Sequence, residues 1–297
     1  MSTITQPKET IPSVNTRFWT KKRIMDGLKS ITSHAVLIVG GFFFVVPLIF
    51  MLSTSLKATR QIAKFPPDLI PNPFIWGNYS DVFIYAPFFK YLLNTLFIII
   101  PTVFGAAVVS ALAAYAFARM KAPGKNFIFM VLLATMMLPG VVTMIPTYIL
   151  FAKLGWVGSF KPLIVPALFG NAFFIFLMRQ FFTTIPKELE DAALIDGCNR
   201  WTIFWSIILP LAKPIMATVT IFSFMNGWNE YFGPLIYLAE KSQYTLALGL
   251  QVFVGQHATE WGMMMAASTM MVAPVIILFF FTQKQFVQGI TLTGLKG

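Results

Sequence analysis

The chain has 297 residues, of which 57% are hydrophobic and 11% are charged, and its formal net charge is +11. A soluble domain carries roughly 25% charged residues, so this composition excludes a water-soluble globular protein and indicates a protein of the lipid bilayer. The basic residues are spread over short segments between apolar runs, which makes them topology signals rather than a nucleic-acid-binding surface.

The first 34 residues are polar and basic, and they predict a cytoplasmic tail (residues 1–34) ahead of the first apolar run. That run is too long for the core of a signal peptide, and no small-residue cleavage site follows a short core. We therefore expect the run to be retained as the first membrane span.

Six apolar runs predict membrane-spanning helices, since a helix of about 20 residues crosses the hydrocarbon core. The runs cover residues 35–56, 91–117, 127 onward, 163–178, 205–226 and 262–282. The sequence therefore predicts an all-α membrane protein with six transmembrane helices.

The third run is interrupted by Pro139, Gly140 and Pro146. Proline removes a backbone donor and clashes with the preceding turn, and in a bilayer the freed groups are tolerated only against protein or a water-filled cavity. Two outcomes stay open: a simple kink, or a helix that ends near Leu138 and is followed by a short helix at the outer surface. In both cases we expect this span to face protein or a pathway rather than lipid.

Lysine and arginine counts in the segments between the runs predict the orientation of the chain. Fifteen of these residues lie in one alternating set of segments, which includes both termini, and six lie in the other. Because the richer side is cytoplasmic, we place both termini, the loop RMKAPGKN (119–126) and the segment between the fourth and fifth runs inside.

The segment between the fourth and fifth runs is polar, and it contains the stretch DAALIDGCNRWTIFWSIILP, which begins at Asp191. Pro186 suits the start of a helix, where its missing N–H would be unpaired anyway. Glu188 and Glu190 follow with Asp191 in the first turns, where the positive end of the helix dipole favours acids. We therefore predict a short cytoplasmic helix over residues 187–196.

This helix is expected to end at the Asp196-Gly197 pair, because glycine accepts a positive φ and readily forms a helix-terminating turn. A second helix then merges into the fifth span. Ala192, Ala193 and Gly197 carry almost no side chain, so another backbone can approach them closely. Two roles stay open, docking to another protein or resting on lipid headgroups. The acid-rich composition is the reverse of a lipid-surface helix and favours docking.

The same stretch resembles the signature of the membrane subunits of ABC importers, which is an acid and two alanines, three residues, glycine, nine residues, then Ile-x-Leu-Pro. Asp191 stands where the family usually has glutamate, and every spacing is kept. The resemblance implies that residues 187–196 are a coupling helix that sits in a cleft of a cytoplasmic ATPase. On this basis we assign ATPase docking to Glu188, Glu190, Asp191, Ala192, Ala193, Asp196, Gly197, Ile207, Leu209 and Pro210.

Four further stretches are similar to the carbohydrate-uptake branch of that family, and they most resemble the smaller six-span permease subunit of maltose-type transporters. The resemblance implies the binding-protein-dependent ABC permease fold over residues 35–285, with its core at about 85–285 and a cytoplasmic C-terminal tail at 286–297. The four stretches are residues 65–83, 87–95, 225–238 and 286–297.

The resemblance also implies the partners, which are a second homologous permease, two cytoplasmic ATPase subunits, an extracytoplasmic solute-binding protein and a sugar substrate. The chain itself has no GxxxxGK[ST] loop, because its GKN (124–126) lacks both the upstream glycine and the hydroxyl. We therefore expect ATP and Mg to be bound by the partner subunits, and we expect this chain to carry no cofactor and to be non-catalytic.

The six predicted cores contain no Asp, Glu or His, and Lys213 beside Pro214 lies near a cytoplasmic end. Ion-coupled transporters usually place ionisable residues within their spans, so energy is expected to enter from the cytoplasmic side. The lone cysteine, Cys198, allows no disulfide within the chain and is expected to pack as a small side chain. The sequence has no carboxylate pair, nucleophile–base arrangement or metal-ligand spacing, which argues against an intramembrane enzyme.

Asparagines within or beside the spans are the candidates for a substrate pathway: Asn171, Asn226 and Asn229. The competing interpretation of these three residues is hydrogen bonding between helices. His34 and His257 lie at membrane edges and are expected to be ordinary surface residues.

Two segments outside the spans have expected partners. The outer connection GPLIYLAEKSQYTLALGL (233–250) is similar to the family's loop that reaches the binding protein, and the alternative is a plain surface loop. The tail after Lys284 resembles one that reaches the ATPase interface. Two alternatives for the whole chain stay open, an ABC permease for another solute such as glycerol phosphate, and a structural membrane subunit without a pathway.

Overall fold

A computed structural model of the chain describes the backbone of residues 16–255 and 259–294 and the side chains of residues 25–255 and 259–283. Within these ranges the regular elements are helices, apart from an isolated antiparallel bridge between Val254 and Thr259. His257 lies outside the described residues. Short 3₁₀ segments cover Pro166–Phe169, Lys241–Gln243 and Leu250–Phe253, and a π-helical segment covers Phe204–Ile208.

The α-helices follow one another along the described chain with short connections. They are α1 (Thr16–Ser55), α2 (Thr59–Ile62), α3 (Gly77–Tyr85), α4 (Phe88–Arg119), α5 (Lys125–Thr135), α6 (Gly140–Lys153), α7 (Lys161–Ile164), α8 (Ala172–Thr184), α9 (Glu188–Ile195), α10 (Arg200–Ile203), α11 (Leu209–Leu211), α12 (Lys213–Trp228), α13 (Phe232–Tyr237), α14 (Leu246–Gly249) and α15 (Trp261–Gly294).

The apolar helices account for six membrane spans. Four stretches of the described chain are long and apolar enough to cross a bilayer, and two bent helix pairs bring the number to six when each pair is one span. The predicted all-α membrane protein with six spans is confirmed on that count. The four stretches that qualify by themselves are Met25–Ser55, Phe88–Arg119, Lys161–Thr184 and Trp261–Gln283.

The third span is broken rather than kinked. Helix α5 ends at Thr135, α6 begins at Gly140, and their axes differ by 98°. Pro139 takes an extended conformation (φ −61°, ψ 134°) at the start of α6, and its ring also disfavours a helical conformation at the residue before it. Of the two open outcomes, the structure therefore has the one in which the helix ends and a second helix follows.

The fifth span is also broken. The helix that begins after the Asp196-Gly197 turn was predicted to merge into this span, but the chain bends by 79° between α11 and α12. Pro214 is the second residue of α12, and because it has no N–H it cannot continue the hydrogen-bond ladder of α11. Helix α12 therefore begins anew at Lys213, and the helical turns from Arg200 to Leu211 form a separate arm.

Helix α4 is the centre of the packing, where it contacts α8 and α12. Ala106, Ala111 and Ala114 are buried on it, and such small residues let neighbouring helices approach closely. At Gly105 a Cβ atom would lie 2.8 Å from the Cα atom of Leu168, so only glycine admits the 3₁₀ segment there. Helix α4 reaches the polar segment around α9 at one end and the connection at 233–250 at the other.

Candidate functional site

Helix α9 is the predicted cytoplasmic helix, one residue shorter at each end than expected. Its C-terminus is closed by Gly197, which has φ +82°. The N–H of Gly197 donates to the Leu194 carbonyl at 3.1 Å, and the N–H of Cys198 donates to the Ala193 carbonyl at 2.9 Å. These are the paired bonds of a Schellman cap, so the turn needs a residue that tolerates positive φ.

One face of α9 is exposed and carries both carboxylates and aliphatic side chains. The docking candidates on that face are Glu188, Asp191, Ala192, Asp196 and Gly197. Beside them Leu189, Leu194 and Ile195 are 43%, 39% and 87% exposed. These three residues were not among the predicted docking residues, although aliphatic side chains in a short polar helix are a signal for a contact surface. A mixed surface of this kind is typical of a protein contact.

The opposite face of α9 is held to the body of the chain by Glu190, which is 4% exposed. Its Oε1 atom lies 3.0 Å from Nε of Arg119, the last residue of α4, and the two side chains are 6% and 3% exposed. Nη2 of Arg119 donates to the carbonyl oxygen of Phe182 at 2.6 Å and to that of Ile185. The Glu190 side chain therefore points into the chain rather than onto the exposed face. Ala193 is also buried.

Two further side chains approach the Glu190 carboxylate. Nη1 of Arg200 lies 3.6 Å from Oε2, and the Arg200 side chain is 48% exposed. The hydroxyl of Tyr115 donates to Oε2 at 3.4 Å. From the sequence, Arg119 was predicted only to be a topology signal, and its pairing with Glu190 was not predicted. The available signal was an arginine at the end of an apolar helix and an acid on a helix predicted on the same side.

The remaining docking candidates lie in the arm that follows α9. Ile207 and Leu209 are partly buried and pack against a cluster that includes Met178 and Phe182 of α8, whereas Pro210 is exposed. Cys198 packs against the same cluster, as expected of a small side chain.

A second polar feature is a cleft of about 390 Å³ between α4, α8 and α12. Its described lining is made of apolar groups, hydroxyls and amides, and Glu230 is the only ionisable side chain in that lining. Oε1 of Glu230 accepts a hydrogen bond from the Gly233 N–H at 2.8 Å. The lining residues are Thr95, Ile98, Thr102, Ala106, Leu163, Pro166, Ala167, Gly170, Asn171, Phe174, Ser223, Asn226, Gly227, Glu230, Pro234 and Thr245.

The three asparagine candidates separate in the structure. Asn226 is exposed and lines the cleft. Asn171 also lines it, but its Oδ1 caps α8 by accepting from the N–H groups of Phe173 at 2.9 Å and Phe174 at 3.3 Å. Asn229 does not line the cleft, and its amide donates to the Met225 carbonyl one turn earlier at 2.9 Å. The cleft therefore brings two of the three together.

The outer connection is folded back onto α4. The amide of Asn94 donates to the carbonyls of Ser242 and Tyr244, both at 3.0 Å. Oγ1 of Thr95 accepts the N–H of Leu246 at 2.8 Å. Burial raises the pKa of the Tyr237 hydroxyl in this connection. The segment is thus a packed wall beside the cleft, and its contact with a binding protein stays a prediction.

The chain matches the family model described as "Binding-protein-dependent transport system inner membrane component" over residues 106–292. It is 33% identical to the sn-glycerol-3-phosphate transport system permease protein UgpE of Pectobacterium atrosepticum, over 88% of this chain and 95% of that protein. It is 32% identical to the arabinooligosaccharides transport system permease protein AraQ of Halalkalibacterium halodurans, over 86% of this chain and 92% of that protein.

The fold has a solved counterpart in the crystal structure of a bacterial ABC transporter involved in the import of the acidic polysaccharide alginate. The TM-score is 0.78 at 24% identity, and the match covers 88% of this chain and 97% of that one. The six spans, the polar helix α9 with its glycine turn and these matches agree with one another. The chain belongs to the family of binding-protein-dependent transport system inner membrane components, as the multi-pass permease subunit of an ABC importer.

Proposed function

We propose that this permease moves a neutral sugar or oligosaccharide inward by alternating access, in a complex with a second homologous permease, two cytoplasmic ATPase subunits and an extracytoplasmic binding protein. ATP and Mg are bound by the ATPase subunits, and this chain is not catalytic. Both termini and α9 face the cytoplasm, in keeping with the excess of lysine and arginine in those segments.

The lining of the cleft is the observation that carries the choice of a neutral solute. Phosphate is recognised by arginine, lysine or free helix N-termini. The described lining contains neither arginine nor lysine. Its hydroxyl and amide groups, with the Glu230 carboxylate as a strong acceptor, suit the hydroxyl groups of a saccharide. The AraQ relative, whose name gives an arabino-oligosaccharide solute, supports the same choice.

Glycerol phosphate is the second candidate, since relatives such as UgpE carry that solute in their names. One structural feature favours it, because the N-terminus of α8 reaches the cleft and a helix N-terminus attracts anions. However, the Phe173 and Phe174 N–H groups at that end are already bonded to Asn171. The Glu230 carboxylate would also repel a phosphate.

The energy of the partner ATPases enters through α9. When ATP closes the two ATPase subunits on each other, the surface grooves of the ATPase subunits that hold the coupling helices move closer together. Helix α9 moves with the groove in which it sits. The exposed carboxylates and the aliphatic side chains of Leu189, Leu194 and Ile195 form the contact. A ligand or partner shifts a conformational equilibrium only through contacts that differ between the states, so this surface must be engaged differently in the inward-open and outward-open states.

Uptake by the reconstituted complex tests this proposal. The four kinds of subunit are placed in proteoliposomes with ATP inside, and uptake of neutral di- and trisaccharides is compared with uptake of sn-glycerol 3-phosphate. ATP-dependent saccharide uptake is the expected result. Uptake of glycerol phosphate without any saccharide would replace the first candidate by the second, and uptake that does not require ATP would contradict both.

A further inference from the structure

Three structural elements meet at the side chain of Arg119. The residue ends α4, its Nη2 binds the carbonyls of Phe182 and Ile185 at the end of α8, and its Nε lies 3.0 Å from Glu190 of α9. We call Arg119, Glu190 and the two carbonyl groups the arginine junction. The last carbonyls of a helix lack partners within the helix and carry its negative dipole, so the end of α8 is a suitable place for a guanidinium.

The arginine junction is almost completely excluded from solvent, since its two charged side chains are 3% and 6% exposed. Removing two charges from water carries a penalty that the pair recovers only with good geometry and further hydrogen bonds. Well-packed apolar residues would fasten the same helices at least as firmly. Burial of a charge pair here is therefore better explained by a requirement for one fixed arrangement of the three elements than by stability alone.

The arginine junction also connects α9 to α4, the helix that lines the cleft with its other half. The chain joins α9 directly to α8 and, through the arm, to α12, but no short connection joins α9 to α4. Yet the outer half of α4 lines the cleft with Thr95, Ile98 and Thr102. Arg119 is a direct contact between α9 and the helix whose other half lines the cleft.

We propose that Arg119 is the positioning residue that makes α9 and the cytoplasmic ends of α4 and α8 move as one body, so that the stroke of the ATPase reaches the cleft through α4. This inference rests on the proposed function of α9. Arg200 is a secondary member, because it is half exposed and lies 3.6 Å from the carboxylate.

The test compares Glu190→Gln and Arg119→Lys with wild type in the complete complex. Glutamine keeps the size of the side chain and removes the charge, and lysine keeps the charge and loses the planar fork that reaches two carbonyls. Allosteric couplings are typically worth 5–150-fold, so we expect about a tenfold fall in solute transported per ATP for each variant. Lys121→Gln, an exposed charge just beyond α4, is the matched control and should keep the wild-type ratio.

A distance measurement covers the case in which these variants fail to insert. Spin labels are placed at exposed positions 121 and 187 in a Cys198→Ser background that keeps Arg119 and Glu190. The distance between the labels should be the same without nucleotide and with ATP and vanadate. A change well beyond the roughly 1–2 Å by which packed helices shift in allosteric transitions would show that α4 and α9 move separately, and it would overturn the junction.

The outcomes distinguish this inference from the proposed function. If the wild-type complex has no solute-stimulated ATPase activity, the proposed function fails and the distance measurement still reports on the junction. If wild type is coupled and both junction variants keep its transport-to-ATP ratio, the junction is wrong and the proposed function stands.

Discussion

The two ends of helix α4 place their polar groups in opposite environments. At one end, the Arg119 and Glu190 side chains are 3% and 6% exposed and lie 3.0 Å apart. In the other half, Thr102 is partly buried beside an open cleft of about 390 Å³, and the one carboxylate in the described lining, Glu230, is exposed. Helix α4 contributes to both regions, and of the two the charge pair is the one that the chain itself encloses.

This difference shows that a single chain can enclose the charge pair by itself but not the cleft. A buried charge must find its partner within the chain, because an unpaired one costs about 3–5 kcal/mol, and the arginine junction does so. Polar groups in the cleft can keep water as a partner, so nothing forces the chain to close over them. The open side is available to the second permease that we propose, and the solute site is then shared.

Gly197→Arg is expected to have the largest effect, because it changes the surface of α9 and leaves the cleft unchanged. No atom of this chain lies within 4 Å of a Cβ at position 197, so the new side chain meets no obstacle here and extends from the exposed face of α9. We expect uptake and solute-stimulated ATPase activity to fall by about a hundredfold, the size of a lost interface hot spot. Immunoblots of membranes should show the protein inserted.

The control is Gly197→Ala, since any L-residue at φ +82° is strained by about 1–2 kcal/mol. Alanine introduces that strain without the bulk, so uptake should stay close to wild type while thermal stability in detergent decreases slightly. If alanine abolishes uptake as completely as arginine does, strain in the turn explains both results and the docking role of α9 is lost.

Helix α9 was predictable because its signals are local. An acidic first turn and the Asp196-Gly197 pair fix where a helix can begin and end, whatever the rest of the chain does. The break after Leu138 was predictable to the same extent, since Pro139 acts on its immediate neighbours. The sequence could not choose there between a kink and a complete break, because the choice depends on what each helix packs against.

The arginine junction and the cleft depend on contacts between residues that are far apart in the chain. Nothing near Arg119 indicates that it meets Glu190, and nothing near Asn229 shows that its amide turns back to Met225 while Asn226 faces the cleft. The 79° bend before α12 has a local cause in Pro214, yet the apolar residues on both sides of Lys213 made the run resemble one continuous span. Composition locates spans, and their axes are set by packing.

Glu230→Gln tests whether the cleft favours a neutral solute. The glutamine oxygen can still accept the Gly233 N–H, which the Glu230 oxygen does at 2.8 Å, so the local fold is kept and only the charge is removed. Hydrogen bonds to charged groups contribute about 1.5–3 kcal/mol, so we expect saccharide uptake to fall by about tenfold or more. Any uptake of glycerol phosphate should rise. Initial rates with each solute measure both effects.

Asp81→Asn is the matched control for Glu230→Gln, because Asp81 is an exposed carboxylate on α3 that does not line the cleft. It should leave both rates unchanged. An increase in uptake of the native solute by Glu230→Gln alone would mean that this solute is an anion, which would contradict the choice of a neutral solute.

Asn226→Ala and Asn229→Ala form the finest comparison, since the two residues lie three positions apart and only Asn226 lines the cleft. A hydrogen bond contributes about 0.5–1.5 kcal/mol, so loss of the Asn226 amide should raise the solute concentration for half-maximal uptake by a few-fold. Alanine is the best helix former, so a folding defect in α12 would not explain this rise. Asn229→Ala should leave that concentration unchanged, because the Asn229 amide is bonded to its own helix. Equal effects from both variants would contradict this assignment, because lining the cleft would then not distinguish Asn226 from Asn229.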